Sequence, residues 1–345
     1  MKGIDKIGIL TGGGDCPGLN AVIRAVVRKS DLLGYSIIGI RRGWAGLIEG
    51  DTEPLGRDSV VGILPKGGTI LKTSRTNPAK IENGYRKVID NMKNIGIDAL
   101  IAVGGDDTLG VALKLFEMGV KTVGVPKTID NDLSATDYTF GFDTAVNIAT
   151  EAIDRLHSTA ESHDRVIVVE VMGRDTGWIA IQAGLAGGAD YIVIPEVPFD
   201  MDDICNVIMR RHEMGRDFSI LVAAEGAKPT ETETQVAQDQ KIDAFGHIRL
   251  GGIGNSLSKE IEKRTKFETR AVVLGHLQRG GAPSAFDRIL ATRFGIKAVE
   301  LVDQGKFGRM AAIRGNEIIE VDLAEGVKTK KVGMELYNIS RTFFG

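Results

Sequence analysis

Residues 6–27 read KIGILTGGGDCPGLNAVIRAVV, a short apolar run, a glycine-rich turn and a patterned segment behind it. The first five residues have the composition of a buried strand. After the turn, Leu19, Val22, Ile23, Val26 and Val27 recur at spacings of three and one, the apolar stripe of a packed helix. Pro17 suits the first turn of that helix and Gly34 its C-terminal end. The unit recurs along the chain. Further strands are expected at 36–40, 99–103, 122–126, 166–171, 191–195, 219–223 and 271–274, with helices at 84–94, 109–118, 144–156 and 202–213. This alternation predicts an α/β fold with mainly parallel sheets and helices on both faces. In such sheets ligands gather beyond the carboxyl ends of the strands, where the strand order reverses. The residues that follow each strand are therefore where chemistry is to be sought.

The 345 residues predict two lobes, because single cores usually stop growing before ~300 residues. Lys and Arg number 43 and Asp and Glu 46, a net charge of −3 that gives no reason to expect nucleic acid or a membrane surface as partner. A hydrophobic share of 43% excludes wholesale disorder, and no apolar run approaches the ~20 residues that cross a bilayer. The start does not read as secretory, and Cys16 and Cys205 stand far apart, so a reducing cytoplasm is expected. Glycine is abundant, 44 residues or about 13% against a usual ~7%, and lies outside low-complexity tracts, as at tight turns and close backbone approaches. One stretch, 228–240 (KPTETETQVAQDQ), lacks any apolar period and reads as a solvated insertion.

Several strand ends carry polar motifs. Thr11-Gly12-Gly13-Gly14-Asp15-Cys16-Pro17-Gly18 is neither a Walker A loop nor a dinucleotide fingerprint, because no Gly-Lys-Ser/Thr follows and Pro17 replaces the third glycine. A phosphate cradle and a plain turn both remain open for it. Gly104-Gly105-Asp106-Asp107-Thr108 places two carboxylates at a helix start, where they favour a Mg²⁺ ion carrying phosphate or serve as N-caps. Its Gly-Gly-Asp core also marks lipid and dinucleotide kinases. Lys127-Thr128-Ile129-Asp130-Asn131-Asp132 offers a carboxylate directly after a strand, a candidate base, although a turn would share its composition. Met172-Gly173-Arg174, Glu225-Gly226 and His276-Leu277-Gln278-Arg279-Gly280-Gly281 follow. Arginines and a histidine at consecutive strand ends of an acidic chain have the makings of a phosphate-ester pocket.

Together these segments resemble the 6-phosphofructokinase family over nearly the whole chain. Residues 11–18 are similar to its phosphate loop, 104–108 to its Gly-Gly-Asp motif and 128–132 to its Thr-Ile-Asp-Asn-Asp motif. Residues 169–174 (VEVMGR) and 275–281 (GHLQRGG) are similar to its sugar-phosphate segments. The resemblance implies two Rossmann-like three-layer lobes. A donor lobe would comprise 1–141 plus about 278–325. A sugar-phosphate lobe would comprise 142–277 plus about 326–345, with a polar insertion near 228–254. It implies that Asp130 deprotonates the sugar 1-hydroxyl, with Thr128 and Asp132 holding the reacting groups, and that Asp106 coordinates Mg²⁺. Gly13, Arg75, Asp107, Thr108 and Lys127 would bind the donor. Thr128, Ile129, Asp130, Met172, Gly173, Arg174, Glu225, His276 and Arg279 would bind fructose 6-phosphate. Arg165 and Arg270 would reach the sugar phosphate of a neighbouring subunit in a homodimer or homotetramer.

Two departures from the ATP-dependent pattern bear on the donor. Asp107 replaces a glycine of the Gly-Gly-Asp motif, and Lys127 replaces the glycine before Thr128. A carboxylate ~4 Å from an α-phosphate repels it by ~4 kcal/mol at an effective dielectric of ~20, roughly a thousandfold in affinity. Val111, where ATP enzymes have glycine, is expected to crowd the nucleoside. The Asp–Lys pair resembles the diphosphate-dependent branch, so diphosphate is the expected donor, in a reversible step serving glycolysis and gluconeogenesis. The alternatives are an ATP enzyme in which Asp107 and Lys127 form a local ion pair, a non-catalytic regulatory subunit, and another kinase sharing only the Gly-Gly-Asp motif. The family's effector site is matched by Arg24, Arg28, Arg57 and Arg216, whereas His157 and Met214 replace two further cations, so weak or absent allostery is expected; the alternative is that these arginines are ordinary surface residues.

Overall fold

The apolar runs assemble into two separate sheets. The computed structural model describes residues 3–230 and 251–345. Among them, in chain order, are β1 (Lys6–Thr11), α1 (Leu19–Leu33), β2 (Ser36–Ile40), α2 (Trp44–Glu49), β3 (Thr52–Leu55), α3 (Gly84–Ile95), β4 (Ala99–Gly104), α4 (Asp106–Glu117), β5 (Thr122–Thr128), β6 (Phe140–Gly141) and α5 (Phe142–Ser162). There follow β7 (Val166–Val171), α6 (Trp178–Ala186), β8 (Tyr191–Val193), α7 (Met201–Glu213), β9 (Ser219–Ala224), α8 (Ile253–Thr265), β10 (Thr269–Val273), α9 (Ala285–Asp303), β11 (Arg309–Arg314), β12 (Glu317–Asp322), α10 (Leu323–Gly326) and α11 (Met334–Arg341).

The larger sheet runs β12-β11-β5-β4-β1-β2-β3, with β6 paired to the end of β5. The smaller runs β10-β7-β9-β8 and is parallel throughout. Among the described residues, the strands that pair antiparallel lie at the margins of the larger sheet, β2 with β3 and β11 with β12. β4 and β9 are buried along their whole length, as parallel strands covered on both faces must be. From β1 the chain first adds β2 on one side and later β4 on the other, so the strand order reverses beside β1. The registers Thr11↔Val103 and Gly104↔Pro126 bring the carboxyl ends of β1, β4 and β5 side by side at that crevice.

Several boundaries differ from the sequence expectation. α4 begins at Asp106 rather than 109, because the polar first turn carries no apolar period to reveal it. Its N-cap is Gly105, without a side-chain bond, so Asp106 and Asp107 are first-turn residues and not caps. The strand expected at 271–274 spans Thr269–Val273, and the helix expected at 144–156 spans Phe142–Ser162. The expected insertion near 228–254 falls, over 231–250, outside the described residues. Just beyond it the buried Glu170 carboxylate accepts from the Gly252 and Gly254 amides, fixing the start of α8. Among the described residues no helix is long and apolar enough to cross a membrane. Cys16 and Cys205 are both buried and are not joined in a disulfide.

Candidate active site

The crevice at the ends of β1, β4 and β5 forms a narrow, solvent-open cleft. Gly13 and Gly14 form one wall and the start of α4, Gly105 to Thr108, another. Lys127, Thr128, Asp130 and Asp132 form its floor, and Arg75, Arg174 and Arg279 close it.

The glycine turn is built for close approach. A Cβ on Gly12 would lie 2.6 Å from Thr108 Oγ1, and one on Gly14 2.7 Å from Arg279 Nη1, so side chains from two other segments can press against the loop only because it has none. The Gly12 amide donates to Val103 O at 2.9 Å and the Gly13 amide to Ser74 O at 3.1 Å. These two amides are therefore committed within the fold, and the cationic side chains of the cleft are the groups placed to meet an anion.

Charge is concentrated at the floor. Lys127 is only 3% exposed, and its Nζ donates to the Gly14 carbonyl. Burial pulls its pKa down, as do Arg279 and Arg174, while Asp130 pushes it up. The Cys16 thiol is itself raised to about 12 by burial and stays neutral. Asp130 is 4% exposed; its amide donates to Thr128 Oγ1 at 3.0 Å, and its buried Oδ1 has no hydrogen-bond partner. Burial, then the charges of Asp130 and Asp106, raise the Asp132 carboxyl to about 7. Arg174, in a left-handed conformation at φ 52°, has Nη1 3.8 Å from Asp106 Oδ1. Burial pulls its guanidinium down, but Asp106, Asp130, Asp107 and Asp132 outweigh that and raise it. Its amide donates to Glu225 Oε1 at 3.2 Å, and Glu225 is raised to about 7 by burial and by Asp130. Arg279 donates from Nη1 to Asp15 O at 3.1 Å, leaving a buried Nε without a partner. Crowded carboxylates facing a cationic wall suit a polyanion and a divalent cation bound together.

Residues 6–302 match the family model described as Phosphofructokinase. The chain belongs to the phosphofructokinase family. It is 59% identical over 343 residues, 99% of this chain and 100% of the relative, to a Streptomyces coelicolor protein named pyrophosphate–fructose 6-phosphate 1-phosphotransferase. It is 52% identical over 327 residues, 94% of this chain and 96% of the relative, to a protein of the same organism named ATP-dependent 6-phosphofructokinase 3. Pichia pastoris phosphofructokinase in the T-state is similar in structure, with a TM-score of 0.82 and 34% identity; the match covers 99% of this chain and 37% of that one.

In this phosphofructokinase several of the residues named from sequence stand away from the cleft lining. Ile129 is wholly buried in the core, since alternation along the chain turns it away from the side that Thr128 and Asp130 share. Val111 is 4% exposed and packs with Leu109, Ala112 and Leu115, so the expectation that it crowds a nucleoside is corrected: it belongs to the core. A Cβ on neighbouring Gly110 would meet nothing within 4 Å. Met172, Gly173 and Glu225 lie behind Arg174, where the Met172 amide donates to Gln278 Oε1 at 3.4 Å. His276 is exposed, in a short 3-10 turn (Gly275–Arg279). Arg165 and Arg270 both pair with Glu268 near the β10 edge of the small sheet. Arg57 pairs with Asp31, and His157 Nε2 lies 2.7 Å from Gly187 O. Sequence reasoning missed Gln278 as a support, although it stands inside a quoted motif, and missed Lys330, which no motif contains.

Proposed function

We propose that this phosphofructokinase transfers a phosphoryl group reversibly from diphosphate to the 1-hydroxyl of fructose 6-phosphate, giving fructose 1,6-bisphosphate and phosphate. The observation that carries the reading is the buried, unpartnered Asp130 Oδ1, set in one cleft with Asp107 and Lys127. A general base needs such an open acceptor. The hydroxyl O–H bond breaks and its proton passes to Asp130. The oxygen attacks the terminal phosphorus, and the bond from that phosphorus to the bridging oxygen breaks as phosphate leaves. Lys127, Arg174 and Arg279 offset the charge that keeps nucleophile and donor apart.

Among the described residues no group of three acidic, histidine or cysteine side chains gathers as a metal site, but a single hard oxygen donor such as Asp106 in the cleft suits Mg²⁺, which usually takes one or two carboxylates plus phosphate oxygens. Asp106 would hold it, and the ion would neutralise donor phosphate charge. Diphosphate as donor is supported by Asp107 and Lys127 and by the name of the 59%-identical relative. The ATP-dependent relative at 52% keeps ATP as the competing reading. Following ³¹P resonances in fructose 6-phosphate, Mg²⁺ and either donor tests both. Diphosphate should disappear as the bisphosphate forms. Transfer from neither donor would overturn the function, and transfer from ATP alone would overturn the donor.

The lobes in this reading are the donor lobe, 1–141 plus about 278–325, and the sugar-phosphate lobe, 142–277 plus about 326–345. Two buried cysteines outside any disulfide suit a reducing cytoplasm. The Arg57–Asp31 pair supports little response to anionic effectors, since that cation already has a partner. Arg165 and Arg270, outside this chain's own cleft lining, serve a neighbouring subunit of a homo-oligomer. Arg270→Ala is therefore expected to raise KM for fructose 6-phosphate ~10- to 100-fold with the donor KM little changed, the loss of charge-assisted bonds to a phosphate. Mixing inactive Asp130→Asn subunits with Arg270→Ala subunits should restore sites that neither variant has alone. Kinetics of the mixture equal to the average of the two variants would refute the shared site.

A further inference from the structure

The segment between α10 and α11 runs along the back of the Asp130 turn and sends one side chain into it. The Lys330 amide donates to Asp132 O at 2.7 Å, and Leu133 and Thr329 form an antiparallel bridge. Lys330 Nζ donates to Asn131 Oδ1 at 3.1 Å, to Thr136 O at 2.9 Å and to Asp137 O at 2.9 Å. An ammonium group has three protons, and here three oxygens receive them. The Trp178 ring centroid lies 5.2 Å from Nζ, and Trp178 Nε1 donates to Lys330 O at 2.9 Å. Asn131, between the two carboxylates, is held at φ 51°, a conformation that a residue bearing a side chain keeps only when its surroundings impose it. Its Oδ1 also accepts from the Thr139 amide at 3.1 Å.

We propose that Lys330 is a positioning residue for phosphoryl transfer, an internal cation that locks Asn131 in its left-handed conformation and so aims Asp130 and Asp132 into the cleft. The proposal rests on the reading of Asp130 as the base. Burial lowers the Lys330 pKa to about 8, opposed by Asp137 and Asp132, so the group is charged at neutral pH.

Lys330→Met keeps the aliphatic stem on Trp178 and removes the charge. It should lower kcat ~100-fold, the scale of a misplaced catalytic group, with KM for both substrates nearly unchanged. Asn131→Ala should cost a similar factor, and the double variant no more than either single one. Ammonium ions should restore part of the activity of Lys330→Ala, whose cage is empty, and leave wild type unaffected. If Lys330→Met does not fold, Lys330→Arg keeps the charge but cannot centre it among three oxygens, and should lower kcat ~10-fold. A Lys330→Met or Lys330→Arg enzyme with wild-type kcat, or losses at Lys330 and Asn131 that multiply, would overturn the proposal. Wild-type turnover in the same assay is read separately. Its absence would defeat the assignment of Asp130, whereas active wild type with equally active Lys330→Met defeats only the role of Lys330.

Discussion

Asp130→Asn is expected to lower kcat by roughly a thousandfold while KM for both substrates and the melting temperature stay near wild type, because general-base catalysis contributes ~10²- to 10⁴-fold. The substitution is nearly isosteric. The turn around it is held by the main chain and by other side chains, through the bonds Asp130 N to Thr128 Oγ1, Thr139 Oγ1 to Thr128 O and Thr139 N to Asn131 Oδ1. None of these uses the Asp130 carboxylate, so the fold has little to lose. What disappears is an acceptor already buried and unpartnered in the free enzyme. Removing a carboxylate also relieves Asp132 and Glu225, which its charge helps to hold near neutrality. Steady-state kinetics beside a thermal melt checks this, and a variant retaining a tenth or more of wild-type kcat would exclude Asp130 as the base.

The second large effect concerns the donor. Replacing Asp107 and Lys127 together by glycine should weaken diphosphate use, through loss of the Lys127 cation, and raise kcat/KM for ATP by up to ~10³-fold, since the repulsion between Asp107 and an α-phosphate is ~4 kcal/mol at an effective dielectric of ~20. Asp107 is in the first turn of α4, where a carboxylate gains ~0.3–1 kcal/mol from the helix dipole. Lys127 is a greater structural risk, because it is buried and its ammonium is tied to the Gly14 carbonyl. Asp107→Gly alone therefore separates the two contributions: it should admit ATP before it damages diphosphate use. Val111 packs in the core and a Cβ on Gly110 would meet nothing within 4 Å, so the donor account rests on the charges of Asp107 and Lys127. Unchanged donor preference in both variants would remove these residues from the argument.

Much of this was legible because the chemistry sits immediately after apolar strands. The β1 end, the Gly-Gly-Asp turn and the Asp130 turn are each contiguous in sequence, and parallel pairing sets them side by side. Val111 was legible too, because Thr108, Val111, Ala112 and Leu115 keep the spacing of a buried helical stripe. That spacing, and not the correspondence with ATP enzymes, describes where it points. Lys330 left no signal. It stands in a lysine-rich tail with Lys328 and Lys331, and two of its Nζ acceptors are main-chain carbonyls, which no side-chain pattern marks. Nor could composition say that Val103 and Ser74 would take up the amides of the glycine turn.

The most direct measurement is the ratio of kcat/KM for diphosphate and for ATP on the unmodified enzyme, at saturating fructose 6-phosphate and Mg²⁺. A first-turn carboxylate facing the donor predicts a ratio of roughly a thousand in favour of diphosphate. A ratio of one or less would contradict it.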